Sequence, residues 1–514
     1  DSRLNAGAAP VPVFNNTGLF RKTAGTTSAN FGLQFNNSGT VDVLSGTLSL
    51  GSGGSHTGTF NTAASAAVDL GGGTHTLSAA SVVSGAGALG VSGASTVTAS
   101  GTFNSGSTLS LTAGTVTLAS SCNVTAATVT IGGGTLNYNS SGTVNVVNLN
   151  AGTLGGTGPA TVTGLLTLGN GTVTTPLVTA NGGINFAGGV TLNGGKLVNP
   201  GVATWSVGNI TGSNGAVITN TPTGTFNNTF DGNLPSGTGT TPLFVNQGHF
   251  QKTGGTAALG ATSIDFDFIN TGTVEVRTNT LRYNFNQQLA GLTLLNGGGL
   301  SAKAGGGGAT AQPIQLLGGS LVGTGLVTVA NTVKLINSAA ISPGFSPGEL
   351  DVAGDYEQTA SGVLNIELGG YAPGTDFDLV TVTAGGAGGV ATLAGTLNVT
   401  LINGFSPTNG ATFTFLTAAS RVGGFATFNY PSNDIGMLLS TNGTSAKVTV
   451  SNLKPVVASP IVSPAPITYG AAFNFQFPTN TFSDPDNNAL TYAASGMPAG
   501  VTFTGATRTF SGTP

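Results

Sequence analysis

The chain has 514 residues, 85 of them Gly, with 13 Lys and Arg set against 17 Asp and Glu for a net charge of −4. Charges this sparse, with no basic stripe and no acidic block, exclude a solvated disordered tail and a phosphate-binding surface, so no nucleic-acid partner is expected. Cys122 stands alone and reads as a small core residue rather than half of a disulfide; no apolar run is long enough for a transmembrane helix, and no signal-peptide pattern opens the sequence. Helix formers are scarce beside Thr, Val and Gly, which predicts an all-β chain.

In chain order, the first phrase is "FNNTGLFRKTAG", Phe14 to Gly25, and it returns as "FVNQGHFQKTGG", Phe244 to Gly255, at an offset of 230. "FNNSGTVDV" from Phe35 returns as "FINTGTVEV" from Phe268 at an offset of 233. Carried back to the start, the pairing sets Asp1 against Asp231, inside a repeat unit, which predicts that the sequence is a piece of a longer one. The paired phrases keep two Phe, an Asn and a Gly. That is the chemistry of a coil corner, and the neighbouring Arg21, Lys22, Gln251 and Lys252 read as polar gatekeepers on exposed β surface.

Between the copies runs a shorter repeat. "GTVTL" from Gly114, "GTLNY" from Gly134, "GTLGG" from Gly152 and "GTVTT" from Gly171 begin 20, 18 and 19 residues apart. A period near 20 signals a stacked-coil architecture, with Gly at the turn and alternating residues facing in and out. In "TVTL" the Val and Leu would point inward and the Thr outward. Coils stacked in parallel register would also let the Asn of "NNSG", "NNTG" and "INTG" form ladders. The reading is a right-handed parallel β-solenoid, with 1–220 and 221–340 as its first and second repeat units and 341–453 as its closing region. From Lys454 a Pro-rich linker, "KPVVASPIVSPAPITYG", leads into a different texture at 454–514.

The stretches "LGGTGPATVTGLLTLGNGTV" from Leu154 and "LVGTGLVTVANTVKLINSAAISPGFSPGELDVAGDYEQTASGVLNIEL" from Leu321 resemble the β-strand repeats of bacterial surface proteins, autotransporter passengers and adhesin-like chains. The resemblance spans Val13 to Val450 and implies a cell-surface, extracellular location; the outer-membrane barrel of autotransporters has no counterpart in these residues. "FSDPDNNALTY", "GMPAG" and "RTFSGTP" are similar to cadherin-like, immunoglobulin-type modules, here apparently without their last strands.

Candidate sites are few. Asp484, Asp486 and Asn488 offer alternating oxygens, a spacing that suits calcium, and the modules they resemble bind it on such a loop; the competing reading is an Asx turn. Asp376 and Asp378, like Asp265 and Asp267, flank a Phe and are expected on a polar outer face, although paired acids would also serve a glycosidase. His56, His75 and His249 lie apart in sequence without metal-ligand spacing. Outward Thr-x-Thr pairs raise an ice-binding array, but their register is read as drifting.

The sequence therefore predicts a non-enzymatic extracellular structural protein with no catalytic residues, a stalk, filament or matrix component in adhesion, coat or biofilm. Its expected partners are further copies of itself, joined head to tail, or a surface glycan. The alternatives are a carbohydrate-binding adhesin, which calls for an aromatic shelf on one solenoid face, and a polysaccharide lyase or hydrolase, which calls for Asp and Arg or Lys converging in a groove.

Overall fold

Each coil of the chain is three short strands joined at glycine- and asparagine-bearing corners, and successive coils stack in parallel. The computed structural model describes all residues except 1–2, 6–9, 105, 126, 256–259, 304–310, 331–332, 386–387, 433–434, 463–465 and 467. The glycine-rich stretch "AGGGGA" from Ala304 lies outside the described residues.

The stacking generates three continuous faces. The first runs from Arg3–Leu4 to Thr427–Asn429 through an unbroken series of parallel pairs. The second begins as an 11-stranded sheet from Val13–Asn16 to Ile210–Ser213 and passes on through the bridge between Gly212 and Ser236. The third begins as a 6-stranded sheet from Leu19–Lys22 to Asn123–Val124 and passes on through the bridge between Thr125 and Thr143. Beyond these points long strands such as Ser320–Thr328 bend round a corner and pair on two faces, so the faces merge into one 40-stranded sheet.

The local pattern explains the stack. In "GTVTL" Val116 and Leu118 are buried and Thr115 and Thr117 stand outward, with Val116 paired to Leu136 of the next coil. Gly134 and Gly152 hold φ of 68° and 75°, and a Cβ on either would lie 2.4 Å from the carbonyl oxygen of the corner glycine one coil earlier. Only glycine satisfies both demands, which is why the phrase restarts on Gly at these two corners. Side chains bonded across adjacent coils at Ser140, Asn199, Asn220 and Asn246 reach partners 18, 21, 26 and 24 residues away, and those at Asn398 and Asn429 near the end of the rod reach 33 and 31.

One hydrophobic cluster runs from Phe35 to Val450, with Trp205 fully buried within it. Inside the corner after the third face, Asn199 donates to Asn220, Asn220 to Asn246 and Asn246 to Asn270, at 2.9, 2.9 and 2.8 Å. Each of these amides also donates to a backbone carbonyl, so the N–H groups of this buried polar column are engaged within the core, while Asn199 Oδ1, at its first rung, is buried without a hydrogen-bond partner.

The parallel series ends in an antiparallel hairpin. Ile435–Thr441 pairs with Ser445–Leu453, which itself pairs antiparallel with Thr412–Ala418 on the second face. Residues 454–514 then form small antiparallel sheets, one from Phe473–Gln476, Thr509–Gly512 and Val501–Thr504 and one from Val456–Val457 and Phe482–Ser483. Among the described residues the only helical element is the 3-10 turn Gly505–Thr507, and no helix is long and apolar enough to cross a membrane.

Candidate functional site

Asp484, Asp486 and Asn488 share one loop, and its bonds are those of a turn and a joint. Asp484 Oδ1 accepts the N–H of Asp486 at 2.8 Å and of Asn488 at 3.3 Å, an Asx turn. Asp486 Oδ2 accepts the N–H of Leu453, and Asn488 Nδ2 donates to Asn452 Oδ1 at 2.6 Å. Both partners across the gap, the Leu453 N–H and Asn452 Oδ1, lie on the last solenoid strand, so the loop fastens the C-terminal module to the rod. Asp486 Oδ1 is buried without a hydrogen-bond partner. Two other carboxylate oxygens of the loop, Asp484 Oδ1 and Asp486 Oδ2, accept backbone N–H groups.

Several expectations about single residues are corrected by the stacking. His56 and His75 lie one coil apart in the core, fully buried, with His56 Nε2 3.0 Å from His75 Nδ1 and the rings stacked at 5.3 Å. His75 Nε2 lies 3.1 Å from the Gly72 carbonyl, so it carries the proton, and His75 Nδ1 must accept from His56 Nε2–H. His56 Nδ1 is then a bare, buried lone pair. Burial, with His75 second, pushes the His56 imidazole down to about 3, and burial also lowers His75.

Lys22 and Lys252 are not gatekeepers. Both side chains turn inward; Lys252 is wholly buried, its Nζ 2.7 Å from Asp231 Oδ1 and from the Gly254 carbonyl. Burial draws the Lys252 ammonium down and its pair with Asp231 opposes this. Arg21 does stand outward, bonded to Asp42 at 2.8 Å.

The two acidic pairs divide. Asp265 and Asp267 stand on an outer face around the buried Phe266, as read from sequence, and Lys303 pairs with Asp265 at 2.7 Å. Asp376 instead closes a loop, accepting the N–H groups of Tyr371 and Ala372, and Asp378 is buried rather than outward. Asp378 Oδ1 accepts the N–H of Gly348 at 2.8 Å and Oδ2 that of Glu367 at 2.9 Å. Burial pushes its carboxyl up to about 7 against the two N–H groups that favour the ionised form.

The threonine register does not drift. On the second face Thr74, Thr96, Thr115, Thr135, Thr153, Thr172, Thr191 and Thr211 occupy one row, each paired with the next. The adjacent outward row is mixed, with Asn137, Gly155 and Ser213 among its members, so a two-row threonine lattice is interrupted. Cys122 is buried and its thiol is pushed up to about 12, as befits an inert core residue.

Sequence reasoning missed a large recess, a groove of about 990 Å³ on the outside of the first face among the long final coils. Its floor is a second amide ladder. Asn429 Nδ2 donates to Asn398 Oδ1 and Asn398 Nδ2 to Asn365 Oδ1, both at 2.9 Å, and Asn365 Nδ2 to Ser342 Oγ at 3.0 Å. Glu367 and Thr400 stand beside the ladder on the same strands. One wall is the "SPGFSPG" segment carrying Phe345, which is 53% exposed; the other holds Tyr430, packed on Phe428 at 4.9 Å. Asp378 ties these parts together, since its two bonds join the Phe345 segment to the Glu367 strand.

Residues 454–514 match the model of a family described as "Putative Ig domain". No curated protein matches the chain. An immunoglobulin-type module therefore follows a parallel β-solenoid, an assembly of the structural and adhesive kind.

Proposed function

We propose that the protein is a non-enzymatic, extracellular structural element of a bacterial surface, a stalk or spacer that holds an immunoglobulin-type module away from its anchor. The observation that supports this reading most is mechanical. A single core and continuous parallel ladders run the length of the solenoid, and the Asp486–Leu453 and Asn488–Asn452 bonds tie the module to its last strand. Every coil lends its backbone groups to two neighbours, so bending or local unfolding breaks several bonds together.

Electron micrographs of the purified chain, combined with limited proteolysis, test this. Stiff rods whose solenoid survives protease are expected; flexible strings cut throughout 13–453 would refute the spacer reading. The same images show whether rods join end to end, as self-association requires.

A further inference from the structure

We propose that the groove on the final coils is a binding site for a neutral, hydroxyl-rich polysaccharide, laid along the solenoid axis across the Ser342–Asn365–Asn398–Asn429 ladder.

The ladder is the first argument. Each asparagine amide carries two N–H donors and a carbonyl with two lone pairs, and the ladder uses one donor and one acceptor of Asn365 and of Asn398. What is left points off the sheet as a repeating donor–acceptor pair. Vicinal sugar hydroxyls, which both donate and accept, complement such a pair. The repeat follows the strand spacing of about 4.8 Å, so the four rungs offer a track of roughly 14 Å, suited to a short run of sugar rings.

The walls are the second argument. Phe345 is a large apolar ring left half in water on the segment that overhangs a polar floor, and Tyr430 faces the recess from the other side. Aromatic faces flanking a row of hydrogen-bonding groups match the two characters of a pyranose, an apolar C–H face and a polar edge.

Charge decides the class. Glu367 supplies a carboxylate to the floor and, among the described residues, no Lys or Arg lines the groove, so a polyanionic glycan would meet like charge without a counter-ion. Asp378 is the positioning residue, holding the Phe345 wall against the floor strand. The proposal is independent of the spacer reading: a stiff rod that binds no glycan would leave that reading intact.

Titration calorimetry of the whole chain with β-1,4-linked hexasaccharides of glucose, N-acetylglucosamine and mannose tests it, with oligogalacturonate as the anionic control. At least one neutral hexasaccharide is expected to bind with a dissociation constant near or below ~1 mM, and oligogalacturonate not to bind. Phe345→Ala, at an exposed position, and Asn429→Ala, at the open end of the ladder, should each weaken binding by about tenfold with unchanged circular dichroism. Asp378→Asn should weaken it too, with faster hydrogen exchange at Gly348. No binding of any neutral hexasaccharide at about 10 mM, preference for oligogalacturonate, or binding unmoved by both Phe345→Ala and Asn429→Ala would overturn the proposal.

Discussion

The phrase at Phe14–Gly25 and its copy at Phe244–Gly255 fold alike and sit differently. In the first, Phe14 stacks on Phe35 at 5.2 Å, yet Phe14 and Phe20 stay only partly buried and Leu19 is 58% exposed. In the second, Phe226 stacks on Phe250 at 5.4 Å and Phe268 on Phe244 at 5.2 Å, and both Phe244 and Phe250 are fully buried. The lysines follow the same division: Lys22 keeps slight exposure and bonds to the Ala24 and Gly25 carbonyls, while Lys252 is sealed in with Asp231. One sequence thus gives one corner geometry, and the coil stacked on each side decides how much that geometry contributes.

The largest expected contrast is at the sealed ion pair. Asp231→Ala strands the Lys252 charge in the core and should cost the surrounding coils about 3–5 kcal/mol, much of it recovered by adding Lys252→Met. Local hydrogen exchange in 225–276 is the readout; an Asp231→Ala chain exchanging like the parent there would break the comparison. Phe250→Ala comes next, at about 3–4 kcal/mol, against roughly half of that for Phe20→Ala, whose site is already open to water. Equal losses measured by exchange at the two sites would mean that stacking neighbours do not set the contribution. Asn246→Ala, inside a ladder bonded on both sides, should cost about 1–3 kcal/mol, and Asn16→Ala less.

The smallest contrast is one of pH. The amide ladder beside the second copy does not titrate. The one beside the first runs from Asn16 to Asn37, which bonds at 2.8 Å, and is followed in register by His56. His56 is neutral when folded, with its pKa pushed down to about 3, and protonates near its ordinary 6.5 when unfolded. Its contribution is complete above 6.5 and falls as the pH drops toward 3, by up to about 1.4 kcal/mol per unit. Between pH 6.5 and 5.5, protection from exchange, taken relative to the intrinsic rate at each pH, should fall across 54–77 and stay level across 244–270. Replacing both His56 and His75 with Asn should abolish that difference; if it persists, the histidines are not its source.

Much of the fold was legible because it is written in spacing. A recurring Gly-Thr-aliphatic start specifies corner, inward row and outward row together, and Gly134 and Gly152 stand where that reading put them. Contacts between coils were harder to read. His56 and His75 are 19 residues apart, one coil, and looked unrelated when searched for metal-ligand spacing along the chain. Lys252 resembled a surface charge because its partner, Asp231, is 21 residues away. The groove lay out of reach for a different reason: its ladder joins residues 23, 33 and 31 apart, after the coils have abandoned their period. Regular repetition discloses a scaffold, and the departures from it that carry sites leave no periodic trace.

The closing hairpin has a consequence of its own. A parallel stack is a template, since each rung presents the same row of amides and carbonyls to whatever strand comes next, the arrangement by which fibrils grow. On the second face Ser445–Leu453 enters in the opposite sense, and Ile435–Thr441 lies against it in turn. A strand copying the rows beneath would find the wrong polarity there. The reversed ribbon works as a full stop, ending the recruitment of like strands on that face.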